Sequence, residues 1–330
     1  MDDPARRRDL RALPKADLHL HTVGAMRPDT LRDLAAAAGH PLLDPRAFTD
    51  FAGFQAVYSA AFHTTQTALP NLLRLVRELV EDAAASGAVW VQPHFDPHVY
   101  HALGAPERIL DAVLETAHTT GGPLGVGFGL TMTLRRGHDT AHSEHLAAFA
   151  VRHSAHYRSL GLAGDESAHP ATPYARAFAI AREGGLTAAP HAGELAGPES
   201  VRTAIEALGA TRIAHGVRAA TDPDLLTELV ERGVSLDICP TSNIALGIVP
   251  SPDAHPLPQL LAAGVPCTLG TDDPLMFGAS LLDEYETART GLGLSDAQLA
   301  AVAGTSVMTS GAPAGVVREA MVGIAAWLRA

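Results

Sequence analysis

Two histidines separated by one residue, His19 and His21, end a short apolar run near the start of the chain. Residues two apart on a β-strand point to the same side, so both imidazoles would face one point. Imidazole nitrogen and carboxylate oxygen both bind divalent metals such as zinc, and a catalytic zinc site keeps one position open for water. His191 and Asp272 are candidate third and fourth ligands. Because an HxH pair alone is also typical of two hydrogen-bonded strand residues, the metal hypothesis depends on the whole set.

Acidic residues and a further histidine accompany these candidate ligands. Glu194 follows His191 in the segment HAGE, where it would either reach a bound substrate or serve only as a carboxylate at a helix N-terminus. Asp272 and Asp273 are adjacent in TDDP, an arrangement that is costly unless a cation or substrate donor satisfies it, although an ordinary Asx turn is the alternative. His215, in AHGV, is either a hydrogen-bonded core histidine or a group that orients a water and moves its proton.

The elements that must position these residues follow a repeating pattern. Short β-rich runs alternate with longer segments of helical period, which is typical of parallel strands joined by crossover helices. The eight predicted strands are Ala16–His21, Val89–Phe95, Gly125–Thr131, Tyr157–Leu162, Thr187–His191, Arg212–His215, Ser235–Cys239 and Cys267–Thr271. Eight repeats predict a (β/α)8 TIM barrel. Catalytic groups of such a barrel gather at the carboxyl ends of its strands, where all the candidate residues stand.

Helices are predicted between the strands and after them. The clearest are Ala175–Glu183, Pro198–Leu208, Pro223–Glu231 and Leu257–Ala263, followed by glycines 184, 209, 233 and 264, which suit left-handed caps. The first crossover, 22–88, is much longer than the others and predicts a helical insertion, with a helix from about Pro28 and an aromatic stretch, Phe48–Phe62, as a candidate lid. Additional C-terminal helices are predicted at Ser280–Gly291, Ser295–Ala303 and Val316–Leu328. Because no linker or repeat interrupts the pattern, a single domain, 1–330, is expected.

Composition narrows the class of ligand. The chain has 330 residues, 47% of them hydrophobic, and a formal net charge of −12. A surface that tracks nucleic-acid phosphates needs clustered lysine and arginine, so a small-molecule substrate is expected instead. Two cysteines in apolar runs imply no disulfide framework. The charged N-terminal segment and the absence of a long uncharged apolar stretch predict a cytoplasmic protein that does not span a membrane; the oligomeric state is left open.

Six ordered segments together resemble the adenosine deaminases of the amidohydrolase superfamily. They are LPKADLHLHTVGAMRPDTL, LGLAGDES at 160–167, HAGE at 191, IAHGV at 213, CPTSN at 239 and LGTDDPLMF at 269. The resemblance implies one zinc ion held by His19, His21, His191 and Asp272.

The resemblance also implies roles for the surrounding residues. Glu194 would protonate purine N1 while water, steered and deprotonated by His215 and Asp272, attacks C6. Asp273 would bond N7 and the backbone of Gly164 would contact N3, with His21 beside the substrate. The products would be the 6-oxo purine and ammonia. Independently of the family, addition of hydroxide to an aromatic C=N requires both a ring-nitrogen acid and an activated water. The cysteine-ligated zinc deaminases are excluded because the chain lacks their P-C-x-x-C signature.

One position departs from the family pattern and affects the expected substrate. Many adenosine deaminases carry an acid, associated with the ribose 5′-hydroxyl, where this chain has Val23. A lost charge-assisted hydrogen bond is worth about 1.5–3 kcal/mol, so a substrate altered at the 5′ position would suffer less than adenosine. The departure resembles a subgroup that deaminates 6-aminodeoxyfutalosine. Gln92 and His94 are predicted to face the barrel mouth and bind substrate. Arg135, Arg136 and His138, after the third strand, are assigned to a solvated loop, with a carboxylate-binding role as the alternative.

Other functions remain as alternatives. Adenine itself is one candidate substrate. A different amidohydrolase reaction, on an amide or phosphoester, would use a similar histidine and aspartate set, but HAGE and TDDP argue against it, and the bridging lysine of many two-metal sites has no counterpart at a strand end. A non-catalytic metal-binding barrel would not need Glu194, His215 and Asp273 together. The sequence therefore predicts a zinc-dependent aminohydrolase acting on an adenine-type nucleoside.

Overall fold

A computed structural model describes residues 7–41 and 44–330. Its strand segments all pair in parallel. They are β1 (Lys15–His21), β2 (Ala88–His94), β3 (Gly127–Phe128), β4 (Leu130–Arg135), β5 (Tyr157–Ala163), β6 (Thr187–Ala188), β7 (His191–Ala192), β8 (Arg212–His215), β9 (Ser235–Ile238) and β10 (Cys267–Leu269). One sheet has the order β1-β2-β4-β5-β6, with β3 beside β2, and the other the order β10-β9-β8-β7.

The two sheets join into a closed ring. At one seam, β6 runs on through two residues into β7, so both belong to the same barrel strand. At the other seam the residue Asp272, just beyond β10, bridges to β1: its amide donates to the carbonyl of His19 (2.8 Å), and its carbonyl accepts from the amide of His21 (2.8 Å). The predicted (β/α)8 barrel is therefore confirmed. Its second seam is formed by three of the candidate metal ligands.

Most strands lie within two residues of their predicted bounds, and two of them, the third and the fifth, differ in a way that has a structural cause. The third barrel strand was expected at Gly125–Thr131 but consists of β3 and β4, ending at Arg135, because Gly125 is instead the left-handed cap of the preceding helix. The fifth, expected as continuous, is interrupted before Pro190, which has no amide hydrogen to donate to a sheet ladder. Both strands keep their parallel neighbours, so the barrel order is unchanged.

Helices pack outside the strands, and six of them begin at a proline, whose fixed φ and missing N–H suit the first helical position. Those six are α1 (Pro28–Ala38), α4 (Pro106–Leu124), α7 (Pro198–Leu208), α8 (Pro223–Arg232), α9 (Pro240–Ala245) and α11 (Pro274–Phe277). The others are α2 (Phe51–Thr65), α3 (Leu69–Ala85), α5 (Thr140–Arg152), α6 (Ala175–Glu183), α10 (Leu257–Ala262), α12 (Leu281–Thr290), α13 (Asp296–Met308) and α14 (Ala314–Arg329). Gly209 and Gly233 adopt the predicted left-handed caps, whereas at the end of α6 that conformation belongs to Gly185 rather than Gly184.

The long first crossover contains α1, α2 and α3 and packs together with α11 in a second hydrophobic cluster, the insertion cluster. Val23, Met26, Leu31 and Leu275 are among its buried members, and aromatic side chains of α2 pack against it. The main core lies between the strands and the outer helices. The predicted domain, 1–330, and its insertion, 22–88, include residues 1–6 and 42–43, which lie outside the described residues. None of the helices described combines the length and apolar character needed to cross a bilayer.

Candidate active site

Four side chains converge at the carboxyl end of the barrel. His19 and His21 come from β1, His191 begins β7, and Asp272 follows β10. The Nε2 atom of His191 lies 3.1 Å from Nε2 of His19 and 3.3 Å from Nε2 of His21. Oδ1 of Asp272 lies 3.6 Å from Nε2 of His19 and 3.4 Å from Nε2 of His21. The structure thus brings the four predicted ligands together so that they could hold one metal ion.

These separations fit a tetrahedral metal centre. Zinc–imidazole bonds of about 2.0–2.1 Å place neighbouring ligand atoms of a tetrahedron about 3.3 Å apart. Burial lowers the pKa of both His19 and His21 to about 4, so each imidazole is neutral near pH 7 and offers a lone pair. Nδ1 of His19 donates to the carbonyl oxygen of Asp237 (3.3 Å), which leaves Nε2 as the unprotonated nitrogen facing the site. The donor set therefore suits zinc.

His215 and Asp272 share an unusual backbone conformation beside this centre. Among the described residues they are the two non-glycine residues with positive φ, 63° and 58° respectively. Such conformations are costly and cluster at functional sites. Nε2 of His215 lies 3.8 Å from Oδ2 of Asp272, and that oxygen also accepts a hydrogen bond from the Ser242 hydroxyl (2.6 Å). The Asp272 carboxylate thus connects the three metal-facing histidines to His215.

Glu194 stands on the loop after β7 with its carboxyl group facing the same space. Its Oε1 lies 3.5 Å from Nε2 of His215. Burial raises the pKa of Glu194 well above its usual range, and the nearby carboxylates of Asp272 and Glu166 raise it further. A carboxyl group in this environment favours its protonated form, which is the form that donates a proton.

Asp273 is a further buried acid in the site, beside Asp272 and Glu194. Burial raises its pKa, and the charge of the adjacent Asp272 acts in the same direction. Its Oδ1 has no hydrogen-bond partner among the described residues, although it is fully buried. A Cβ atom at Gly24 would lie only 1.8 Å from that oxygen, so the absence of a side chain at Gly24 makes room for the Asp273 carboxyl group. An unpartnered buried carboxyl that faces a cavity is suited to hydrogen-bonding a ligand.

A cavity opens to solvent above these groups. It is lined by His21, Val23, His94, Gly164, His191, Glu194, His215, Asp272 and Asp273, all of them predicted site residues. One face of α2 lines the other side, with residues at the helical spacing i, i+3, i+4, i+7, i+8 and i+11. They are Phe51, Phe54, Gln55, Tyr58, Ser59 and Phe62. Phe95, Val99 and Tyr100 add further apolar surface, and the exposed Arg135 lies at the mouth.

Known proteins resemble this chain in sequence and in architecture. The family model described as adenosine deaminase matches residues 14–327. The chain belongs to the adenosine deaminase family. It is therefore an aminohydrolase of the amidohydrolase superfamily, as the ordered motifs predicted.

Individual relatives extend this finding. A Streptomyces coelicolor protein with the provisional name adenosine/adenine deaminase is 42% identical, over 98% of this chain and 99% of its own length. The aminodeoxyfutalosine deaminase of Acidothermus cellulolyticus is 37% identical, over 84% of this chain and 82% of its own. The crystal structure of adenine deaminase from Arthrobacter aurescens superimposes with a TM-score of 0.89 at 28% identity, covering 96% of this chain and 100% of that one. The relatives thus carry names with three different substrates.

Gln92 is a predicted site residue that does not line the cavity of this adenosine deaminase family member. It shares the inward orientation of His94 but stands two residues earlier on β2, so its side chain lies deeper in the barrel. There its amide group is hydrogen-bonded to the Ser159 hydroxyl (2.9 Å). The expectation that Gln92 faces the barrel mouth is therefore corrected: periodicity gives the side of the strand, but the depth along the strand decides access.

Two residues that matter for the site were not predicted from the sequence. Arg136, assigned to a solvated loop, is buried, and its guanidinium donates to the carbonyl oxygens of His191 (2.7 Å) and His169 (2.6 Å). Glu166 is buried beneath the loop that carries Glu194. Glu166 lies within the segment LGLAGDES, three residues after the end of β5, but its neighbours Asp165 and Ser167 are also polar, so nothing in the sequence marks it as buried.

Proposed function

We propose that the chain is a zinc-dependent aminohydrolase that converts an adenine-type nucleoside, adenosine or a 5′-modified adenosine, to the 6-oxo purine nucleoside and ammonia. One observation carries this proposal above all: Glu194, whose protonated form is favoured, lies 3.5 Å from His215 in the same cavity as the four metal-binding side chains. An acid and a water-activating centre are the two groups that this reaction needs. The predicted cytoplasmic location stays a prediction.

Each residue of the site has its own role in the reaction. Glu194 protonates purine N1, which makes C6 electrophilic. His215 and Asp272 orient the attacking water and accept its proton, and Asp273 holds N7 while the Gly164 backbone contacts N3. Zinc, when bound by the four ligands, lowers the pKa of water toward neutrality. The proton taken from water passes to the departing amino group, the C6–N bond breaks and ammonia leaves. The proton of the C6 hydroxyl returns to Glu194, which leaves the 6-oxo purine with a proton on N1.

The presence of valine at position 23 favours a substrate that is altered at the 5′ position. Its side chain lines the cavity where the family pattern has an acid, and it is 2% exposed. A ribose 5′-hydroxyl facing valine loses a hydrogen bond worth about 1.5–3 kcal/mol. The same cavity is also lined by Phe62, Val99 and Tyr100, which would offer apolar surface to a group attached at the 5′ carbon.

A second candidate substrate is 6-aminodeoxyfutalosine, favoured by the aromatic lining of the cavity. Phe54, Phe62 and Tyr100 offer apolar surface to an aromatic 5′ extension, and Arg135 at the mouth offers a cation to a carboxylate. The relative from Acidothermus cellulolyticus, whose name is aminodeoxyfutalosine deaminase, supports the same candidate. Adenine is the simplest alternative, since the superimposable Arthrobacter aurescens structure is of an adenine deaminase.

An ammonia-release assay combined with metal analysis tests the function. The panel contains adenine, adenosine, 5′-deoxyadenosine, methylthioadenosine and aminodeoxyfutalosine. We expect bound zinc and a higher kcat/KM for a 5′-modified nucleoside than for adenosine. Inactivity on every adenine compound in protein that contains metal would contradict the deaminase proposal, and a preference for adenine would contradict the nucleoside assignment alone.

Substitution of Val23 tests the basis of substrate choice. Val23→Asp should raise the ratio of adenosine to 5′-deoxyadenosine turnover by about 10- to 100-fold, because a carboxylate can accept the 5′-hydroxyl hydrogen bond. The ratio of kcat/KM for the two substrates is unaffected by the fraction of folded enzyme. Val23→Leu, which adds no acceptor, is the matched control. An unchanged ratio in the aspartate variant would show that Val23 does not discriminate.

A further inference from the structure

The loop that carries Glu194 depends on one buried side chain for its hydrogen bonds. Its four successive amide groups, 193 to 196, find no backbone acceptor in the described part of the chain. All four donate instead to the carboxylate of Glu166. The donor–acceptor distances are 2.6 Å from Gly193, 3.0 Å from Glu194, 2.8 Å from Leu195 and 3.1 Å from Ala196. Successive amides that point at one anion form a concave anion-binding turn, here filled by the protein itself.

The beginning of the same segment is held by a buried cation. Arg136 donates to the carbonyl oxygen of His191 (2.7 Å) and, through its other terminal nitrogen, to that of His169 (2.6 Å). Burial lowers the pKa of Arg136, whereas the carboxylate of Glu166 acts in the opposite direction and favours its charge. Arg136 follows β4 and Glu166 follows β5, which is its neighbour in the sheet. The segment from His191 to Ala196 is thus fixed by groups from two adjacent barrel strands.

We propose that Glu166 is a positioning residue that holds the 193–196 backbone so that the Glu194 carboxyl group stays over the reacting atoms, with Arg136 fixing the start of the segment. The proposal rests on the function proposed above only for the chemical role of Glu194. Glu166 itself does not line the cavity. Its effect on the reaction must therefore pass through the loop. An amide at this position cannot serve all four donors, because one of its two heavy atoms is itself a donor.

Hydrogen–deuterium exchange tests the structural half of the proposal without any substrate. In Glu166→Gln, the amides of residues 193–196 should exchange at least about 10-fold faster than in the wild type, because they lose their acceptors. Asp165→Asn is the matched control, because it makes the same chemical change one residue away. Within the described residues the Asp165 carboxylate accepts only from its own turn, from the amides of Ser167 and Ala168 and from the Ser167 hydroxyl. Equal exchange in the Glu166→Gln variant and the wild type would overturn the proposal.

Kinetics in two backgrounds test the functional half. Glu166→Gln should lower kcat about 100-fold, as expected for a displaced catalytic group, while KM changes less than about 3-fold and metal content is kept. The same substitution made in a Glu194→Gln background should have little further effect, because its route to the reaction is already removed. An equal loss in both backgrounds, or loss of metal, would indicate a general structural role and overturn the proposal.

A second variant covers the case in which Glu166→Gln does not fold. Glu166→Asp keeps the negative charge but withdraws it by one methylene, so it should show intermediate exchange and intermediate kcat. Wild-type values for both would contradict the positioning role. If the wild-type enzyme releases no ammonia from any adenine compound, the proposed function fails, and the exchange measurement still decides whether Glu166 holds the loop.

Discussion

Besides Asp272, two buried acids face the cavity, and burial raises the pKa of both. Glu194 lies beside His215, at 3.5 Å, and burial raises its pKa well above the usual range. Asp273 has a pKa raised mainly by burial and an Oδ1 atom without a partner. A neutral carboxyl can donate a hydrogen bond or a proton to a ring nitrogen, whereas a carboxylate can only accept. Both acids are therefore suited to recognising the nitrogen atoms of a purine.

The first expected outcome concerns Glu194. Glu194→Gln removes the proton donor while keeping the size of the side chain, so kcat should fall by about 100- to 10,000-fold, the usual range for a general acid. Metal content should stay at the wild-type level, because Glu194 is not one of the four converging ligands. Steady-state ammonia release and elemental analysis measure the two quantities. Glu231→Gln, on the exposed face of α8, is the control, and wild-type turnover in the Glu194 variant would remove it from the mechanism.

Substitution of Gly24 provides an independent test of whether Asp273 binds the substrate. A Cβ atom there would lie 1.8 Å from Oδ1 of Asp273, so Gly24→Ala must displace that carboxyl group. Loss of one hydrogen bond to the substrate should lower kcat/KM by about 10- to 100-fold without loss of metal. Gly122→Ala is the matched control, because its new Cβ would meet nothing within 4 Å. Unchanged kcat/KM in the Gly24 variant would contradict a role for Asp273 in binding.

At the scale of elements, α2 is the part of the insertion that shapes the cavity. Its cavity-lining residues fall on one helical face, and Phe54 also stacks on Phe277 with ring centroids 5.5 Å apart. The aromatic stretch Phe48–Phe62 was predicted as a candidate lid from its composition and from the length of the crossover. Helix α2 lies over the site. That it moves as a lid stays a prediction.

Substitution of Phe54 should weaken the binding of large substrates more than the binding of small ones. Phe54→Ala removes apolar surface beyond the purine position, so KM should rise about 10-fold for nucleosides with an apolar 5′ extension, from the loss of roughly 1.4 kcal/mol of contact. KM for adenine should change little. Val57→Ala is the control on the same helix, since Val57 packs in the insertion cluster and does not line the cavity. Equal changes for all substrates in an inhibition or turnover series would contradict this division of the cavity.

Elements with strong local signals were predictable, and those fixed by distant contacts were not. The sequence predicted α6 and α7 with the bounds observed, because apolar periodicity and the proline at the start of α7 are local. The third strand was placed too early, since the apolar run that suggested it includes a helix-capping glycine. The Gln92 side chain was expected at the mouth because alternation predicts its direction but not its depth in the barrel.

At the scale of the whole molecule, the barrel brings together residues that lie far apart in sequence. The four candidate ligands were predictable, because each belongs to a recognisable motif at the end of a strand. Glu166 and Arg136 were not: their partners lie 28 and 55 residues away, and a buried carboxylate looks like a surface one in sequence. These two charged side chains contact the same segment, the loop after β7, because β4 and β5 pair in parallel and both side chains follow those strands.

The ring also closes through the candidate ligands, so metal binding should stabilise the fold. His19, His21 and Asp272 lie at the β1–β10 seam, and together with His191 on β7 their ligand atoms lie within 4.8 Å of one another. A metal at 100 times its dissociation constant adds about 2.7 kcal/mol to the free energy of unfolding. For a chain of this size we expect chelation to lower Tm by about 5 °C, and added zinc to restore it.

A variant without a complete ligand set separates metal loss from other effects of the chelator. His19→Ala removes one imidazole and should neither hold zinc nor respond to chelation, so its Tm with and without chelator should be equal. Thermal unfolding followed by circular dichroism measures both proteins. A chelator-induced decrease of Tm of the same size in the variant and the wild type would contradict metal binding at His19, His21, His191 and Asp272, because the stabilising ion would then lie elsewhere. Equal Tm values for chelated and zinc-loaded wild type, with zinc bound in one equivalent, would instead show that the barrel seam is stable without the ion.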